Sequence, residues 1–181
     1  MKKLLLCALL AVGLAAPAYA VDLIDQDQPS GPVYMAGFSQ GDLAQSFQQT
    51  NGNMSGAGIL LQAGVGSTDN VIITLYDALP NAGGTVLATG SAQGTQGQWV
   101  DVFWTAVNVT PGTTYYIVFT GNTSLGIAGD TNNPYPYGMV YANSGFGPFP
   151  SFDYAFRTYY SDDGPVPVEQ TTWGSIKATF K

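Results

Sequence analysis

Apolar and polar residues alternate with a period of two through most of this chain, in short runs broken by Gly, Pro and Asn. Over 71–77, Val71, Ile73 and Leu75 share one face, and Ile72, Thr74 and Tyr76 share the other. That is the geometry of a pleated strand. Similar runs predict strands over 43–49 around Phe47, 59–62, 85–92, 98–104, 114–120 and 153–160. The turn clusters at 80–84 and 94–97 have hairpin length, and Thr110-Pro111-Gly112 suits a type II turn. There Pro presets φ at the second position and Gly tolerates a positive φ at the third. No amphipathic helix of ordinary length interrupts the series. The pattern predicts an all-β fold, a single antiparallel β-sandwich.

Two stretches depart from the alternation. Residues 22–32 read as a polar lead-in to the sandwich, which occupies 21–160. Residues 132–152 are rich in Tyr, Phe, Pro and Gly and read as a long structured loop with a short strand near 139–142. Beyond the sandwich, 161–170 reads as a linker, with Asp162, Asp163, Gly164, Pro165 and Pro167. A tail follows over 171–181, where a short helix would place Trp173, Ile176 and Phe180 on one face.

The first 20 residues read as a signal peptide. Lys2 and Lys3 supply a positive start, 4–14 a short apolar stretch, and Ala18-Tyr19-Ala20 the small-x-small cleavage pattern. Cys7 lies inside that leader, so the exported product has no cysteine and no disulfide. No later segment is apolar enough to serve as a transmembrane helix, which needs about 20 such residues. The expected location is outside the cytoplasm: secreted, on the cell surface or in the periplasm.

Removing the leader's two lysines takes the formal charge from −7 to −9. An acidic product of this kind argues against nucleic acid as a partner, because it cannot neutralise a phosphate backbone. The chain has no His, and Arg157 is the one basic residue in the body of the sandwich. Hydroxyl or thiol nucleophiles therefore lack an obvious base, and ordinary zinc sites lack ligands. A carboxylate-pair glycosidase using two of Asp77, Asp101, Asp130 and Asp153 is the enzyme class the composition leaves open. Turn and strand-end settings explain those aspartates without catalysis, so the chain reads as a non-enzyme.

Calcium is the metal that the composition accommodates, through Asp130, Asn132 and Asn133, with Asp25 and Asp27 second. The competing reading of each is an Asx-type turn. Arg157 either pairs with Asp77 or Asp101 or faces a ligand; the pairing is favoured, as one arginine among many acids finds a partner. Tyr135, Tyr137, Phe146, Phe149 and Phe152 are the candidate ligand-binding aromatics, with Tyr135-Pro136-Tyr137 the piece expected to stand exposed. The alternative is that these rings cap the core. Trp99 and Trp104 fall on opposite faces of one strand.

Several segments together resemble a known group: Ala44-Gln45-Ser46-Phe47, Asp69-Asn70-Val71, Leu75-Tyr76-Asp77, the run from Val109 to Tyr116, and the run from Asp153 to Tyr159. They are similar to secreted bacterial β-sandwich modules of unknown function, of the kind found in proteins with PEP-CTERM or similar sorting tails. The resemblance implies a jelly-roll-like fold and export, and brings no catalytic residues. The ending differs from a sorting tail, lacking a hydrophobic helix followed by arginines.

The function expected is a non-catalytic module that binds polysaccharide or a surface protein through its aromatic loops. The alternative is a self-assembling component of an envelope or extracellular matrix, and the glycosidase comes third. Intact-mass measurement of the exported product should give a chain beginning at Val21.

Overall fold

The computed structural model describes residues 20–121 and 125–163. The predicted leader up to Tyr19, most of the predicted linker and the predicted tail lie outside the described residues. Among the described residues, thirteen strands form three antiparallel sheets. In chain order they are β1 (Asp22–Gln28), β2 (Val33–Gly37), β3 (Leu43–Gln48), β4 (Asn53–Leu60), β5 (Thr68–Tyr76), β6 (Val86–Thr95) and β7 (Trp99–Asn108). They continue with β8 (Thr114–Thr120), β9 (Gly126–Asp130), β10 (Val140–Ala142), β11 (Gly147–Phe149), β12 (Asp153–Tyr154) and β13 (Phe156–Ser161).

One layer is a four-stranded sheet, β1-β13-β4-β7; the other is six-stranded, β11-β10-β3-β8-β5-β6. Between them the inward residues form one apolar core that includes Phe47, Ile59, Ile73, Val102, Ile117 and Phe156. This is the β-sandwich that the alternation predicts, with antiparallel sheets whose faces differ in polarity. A third sheet, β12-β9-β2, continues the four-stranded layer at one end. The chain passes from β12 to β13 at Ala155, and Leu61, just past β4, bridges to Ile127 in β9.

The turns follow the residues that specify them. Thr113 N–H donates to Thr110 O at 3.1 Å, and Gly112 takes φ +74°. The 80–84 cluster forms a 3-10 turn over Pro80–Ala82, closed by Gly83 in the left-handed region.

Strands β1, β2, β4, β9 and β11 depart from the expected layout, and the predicted 153–160 strand divides at Ala155 into β12 and β13. The polar lead-in contains β1, paired along its length with β13. It is an edge strand held by main-chain hydrogen bonds, so Leu23 and Ile24 stay exposed and no buried stripe marks it. Strand β4 begins at Asn53, six residues before the predicted 59–62 strand. Gly56 and Gly58 read as breakers, yet here they are pleated positions over which side chains from β7 pass. A Cβ at Gly56 would fall 2.7 Å from Phe103 Cδ1, and one at Gly58 would fall 2.0 Å from Asp101 Oδ1. Strand β9 is equally glycine-rich, with Gly126 under the Tyr34 ring and Gly129 against Met35 and Asp153 O.

Glycines also draw the two layers together along one side, where β6 lies over β7. A Cβ at Gly90 would meet Val102 Cγ1 at 2.6 Å, and one at Gly94 would meet Leu61 Cδ1 at 2.5 Å. The loop over 131–139 is bonded to both layers, through the Tyr135 hydroxyl to Gln26 of β1 and Gln48 of β3.

Gly58→Ala should push the Asp101 carboxylate aside and cost about 1–3 kcal/mol, the usual range for overpacking. Gly52→Ala, which meets nothing within 4 Å, should change stability by no more than about 0.5 kcal/mol. Urea unfolding of the two variants checks the contrast.

Candidate functional site

The site is built on a buried carboxylate. Asp153 in β12 is 0% exposed. One oxygen accepts from Gln45 Nε2 of β3 at 2.9 Å, the other from Tyr135 N–H at 2.9 Å. Gln45 completes the clamp by accepting from Tyr154 N–H at 2.9 Å. The loop over 131–139 is thus tied to both layers by side chains as well as main chain. Strict alternation over 153–160 would put Asp153 on the same face as Arg157. The chain changes sheets at Ala155, and that face of β12 is covered by the loop, so Asp153 is interior.

Tyr135 is drawn in by the same attachment and is 6% exposed, which corrects the expectation that this tyrosine stands exposed. Its ring meets Phe156 edge-on at 5.0 Å. Its hydroxyl donates to Gln26 Oε1 at 3.0 Å and accepts from Gln48 N–H at 3.2 Å. Burial pushes its pKa up to about 12. Two residues on, Tyr137 is 60% exposed and rests edge-on against Tyr135, with centroids 5.9 Å apart. Tyr137 is therefore a projecting ring on a fixed base.

Concavities lie on both sides of that ring, and Gln48 lines both. The smaller, of about 240 Å³, is lined by Gln26, Gln49, Thr50, Pro111 and Gly112 as well as Gln48. The larger, of about 420 Å³, runs over the outer face of the six-stranded sheet past Ser46, Thr114, Tyr116 and Tyr141. Tyr116 and Tyr141 pack edge to face at 5.7 Å. Burial, with Tyr141 alongside, raises the Tyr116 pKa above the ordinary phenol value. No charged side chain lines either concavity.

The remaining loop aromatics do not join this groove. Phe146, at φ +55°, is buried against Ala44 and Val118 on the outer sheet face. Phe149 and Phe152 stack nearly parallel, 5.8 Å apart and 9° from coplanar, at the far end of the loop. The aromatic segment thus separates into a projecting ring, two buried anchors and a stacked pair.

Arg157 pairs with Asp101. Its Nε donates to Asp101 Oδ1 at 2.8 Å and its Nη2 to Oδ2, a fork that Gly58 makes possible. The hydrogen bond to Asp101 raises the Arg157 pKa further. Its guanidinium lies 4.3 Å from the centroid of the Trp99 ring, and Tyr159 Oη donates to Asp101 Oδ1 at 2.8 Å. Trp104, on the other face of β7, packs inward and donates its Nε1–H to Met54 O at 3.1 Å.

Asp130 Oδ1 accepts from Asn132 N–H at 2.9 Å and Asn132 Nδ2 at 2.8 Å, and Asp130 Oδ2 accepts from Ser30 Oγ at 2.6 Å. The Ser30 hydroxyl first, then the Asn132 N–H, hold the Asp130 carboxyl below its ordinary pKa. Asn133 follows at φ +48°. Asn132 thus presents an amide donor to Asp130, and Asp130-Thr131-Asn132 forms an Asx turn. Among the described residues no group of three Asp, Glu, His or Cys side chains is placed to hold a metal ion. Asp25 accepts from Thr50 N–H and Asn51 Nδ2, both at 2.7 Å, and Asp77 from Thr85 N–H at 2.6 Å.

Ser46, Gln48, Thr114, Tyr116 and Tyr141 were missed as site residues. Their signal was present in the alternation: Ser46 and Gln48 flank inward Phe47, and Thr114 and Tyr116 flank inward Tyr115. What the alternation could not show was that β3, β8 and β10 are adjacent. Comparison with known protein families, with curated proteins and with solved structures gave no match.

Burial raises the Asp153 pKa, outweighing its two hydrogen bonds. Its contribution is greatest below the unfolded carboxyl value of about 3.9 and declines as pH rises through the folded value. The lowered Asp130 acts with opposite sign, favouring the fold above that unfolded value and losing its effect as pH falls. Hence the stability advantage over Asp153→Asn should narrow between about pH 3 and 7, while that over Asp130→Asn widens. Urea unfolding across that range reads both. At fixed pH, Asp153→Ala should cost about 1–3 kcal/mol by leaving buried donors unpaired.

Proposed function

We propose that the protein is a non-catalytic, exported module that binds a neutral polysaccharide along the groove on either side of Tyr137. The observation that carries this reading is the ring itself: an exposed tyrosine on a rigid base, between two uncharged hollows of amides, hydroxyls and tyrosine edges. A sugar ring has an apolar face that stacks on an aromatic and a rim of hydroxyls that needs polar partners. A charged polymer would find no counter-charge in the groove. The two hollows meeting at Gln48 suit consecutive residues of a chain better than an isolated sugar.

The absence of catalysis is part of the proposal. Asp77, Asp101, Asp130 and Asp153 each hold a structural partner, and Asp153 is closed to any substrate. Export by the leader and a jelly-roll-like ancestry belong to the same reading. They are supported by the leader's pattern and by the resemblance of the body.

A second reading, self-assembly, has one observation in its favour. The β1 edge pairs only with β13 among the described strands, and it exposes Val21, Leu23 and Ile24. Asp22, Asp25 and Asp27 lie along the same edge, however. Acidic residues on an edge strand oppose pairing with a second copy.

Affinity electrophoresis through soluble neutral glucans, xylans and mannans tests the main reading. Retardation by at least one of them is expected. Tyr137→Ala should weaken it about tenfold, the equivalent of one aromatic contact of about 1.4 kcal/mol, with stability held within about 0.5 kcal/mol. If no polymer retards the protein, or the variant binds as well, the proposal is wrong.

A further inference from the structure

The outer face of the four-stranded sheet carries a row of apolar side chains that the groove does not use. The registers set Ile24 of β1 beside Tyr159 of β13, and place Tyr159 and Phe103 of β7 on either side of Gly56. Tyr159 is buried, whereas Phe103 is 49% exposed and Ile24 47%. Leu60 and Trp99, paired with each other on the same face, are both partly exposed and extend the apolar surface. Three carboxylates share the face with one guanidinium. Asp101 and Arg157 pair with each other, and Asp22 and Asp27 stand exposed on β1. Exposed aromatics around an arginine, with polar groups at the rim, are the make-up of a contact surface. Its occupant has to bring apolar side chains and positive charge.

The chain itself holds such a segment. Residues 171–181 contain no acid, and Lys177 and Lys181 are two of the three basic residues beyond residue 20. The helix that the sequence predicts there aligns Trp173, Ile176 and Phe180 along about 10 Å of rise. Ile24 and Phe103 lie on the two outer strands of the sheet, three strand spacings or about 14 Å apart. Strand β13 delivers the chain at the end of this same sheet, where Asp162 N–H donates to Val21 O at 3.2 Å. The residues from Asp163 to Trp173 can span up to about 33 Å, and the face from Ser161 to Ala155 is about 20 Å long. A tether of that length holds the segment at an effective concentration of about millimolar, so a weak contact suffices to fill the face.

We propose that the segment over 173–181 docks on the outer face of the four-stranded sheet of its own chain. Trp173, Ile176 and Phe180 lie along the row from Ile24 to Phe103, and Lys177 and Lys181 meet the carboxylates of Asp22 and Asp27. A second copy is the poorer occupant, because it would set those carboxylates against their own kind. The docking face shares no residue with the Tyr137 groove and stands or falls independently of it.

The test uses a nitroxide attached at Ala178→Cys in the Cys7→Ser chain, where no other thiol is present and the label points away from the apolar stripe. In the isotope-labelled full chain, the amide signals of Ile24 and Phe103 should be lost and those of Gln48 and Tyr116 kept. Phe103→Ser should restore the Ile24 signal, and so should Lys177→Glu combined with Lys181→Glu. A mixture of nitroxide-bearing unlabelled chain with isotope-labelled chain lacking the nitroxide should show no loss, since the contact lies within one molecule. Persistence of the Ile24 and Phe103 signals overturns the proposal, as does a loss that neither set of substitutions relieves. Loss in the mixture also overturns it, by making a second copy the occupant.

Discussion

A carboxylate with no exposure to solvent, that of Asp153, is the constraint on which the rest of the architecture turns. A buried charge-capable group is tolerated only where its oxygens are fully met. Here they are met by a side chain of β3 and by the backbone of the loop over 131–139. Those two bonds fix how far the loop closes over the end of the sandwich. Tyr135 is consequently interior, Tyr137 is consequently outside, and the groove takes its shape from the difference. The same polar seam continues along the layer interface. Thr158 donates to Gln49, and Asn53 exchanges hydrogen bonds with Ser161. Polar groups paired in this way tolerate only one strand register, since a slip would leave each unmatched.

The two outer faces of the sandwich have been put to different uses by the distribution of glycine. On the four-stranded sheet, Gly56 and Gly58 of β4 form a trough. Side chains of β7 and β13 reach across it to each other. Asp101 meets Arg157 over Gly58, and Phe103 meets Tyr159 at 4.9 Å over Gly56. The ion pair there is satisfied internally. On the six-stranded sheet the outward positions along the groove are Ser46, Gln48, Thr114, Tyr116 and Tyr141, while Ala44 and Val118 beside them are covered by Phe146. That face keeps its capacity for hydrogen bonding and stacking, and it is where the groove lies.

Much of the framework was legible along the chain. Strands β5, β6, β7, β8 and β13 declare themselves because each has one buried face and alternates accordingly. The type II turn at Thr110-Pro111-Gly112 was readable because Pro and Gly restrict φ locally. Strands β1, β4 and β9 were not, because an edge strand needs no buried stripe and a glycine position is defined by what crosses it. The bond from Arg157 to Asp101 was one of two pairings that the charge inventory allowed. Choosing between them required the registers of β13 on β4 and of β4 on β7.

By itself, then, the amino-acid order determined an all-β body with antiparallel sheets, poor in the residues of common catalytic and metal chemistry. Those are properties of composition and local periodicity. Which aromatics of the 132–152 segment face solvent, which line a cavity and which serve as anchors was decided only in three dimensions. A segment without period two carries no record of its own faces. Its side chains are sorted by contacts with strands distant in the chain, chiefly the attachment to Asp153, and such contacts exist only once the layers have met.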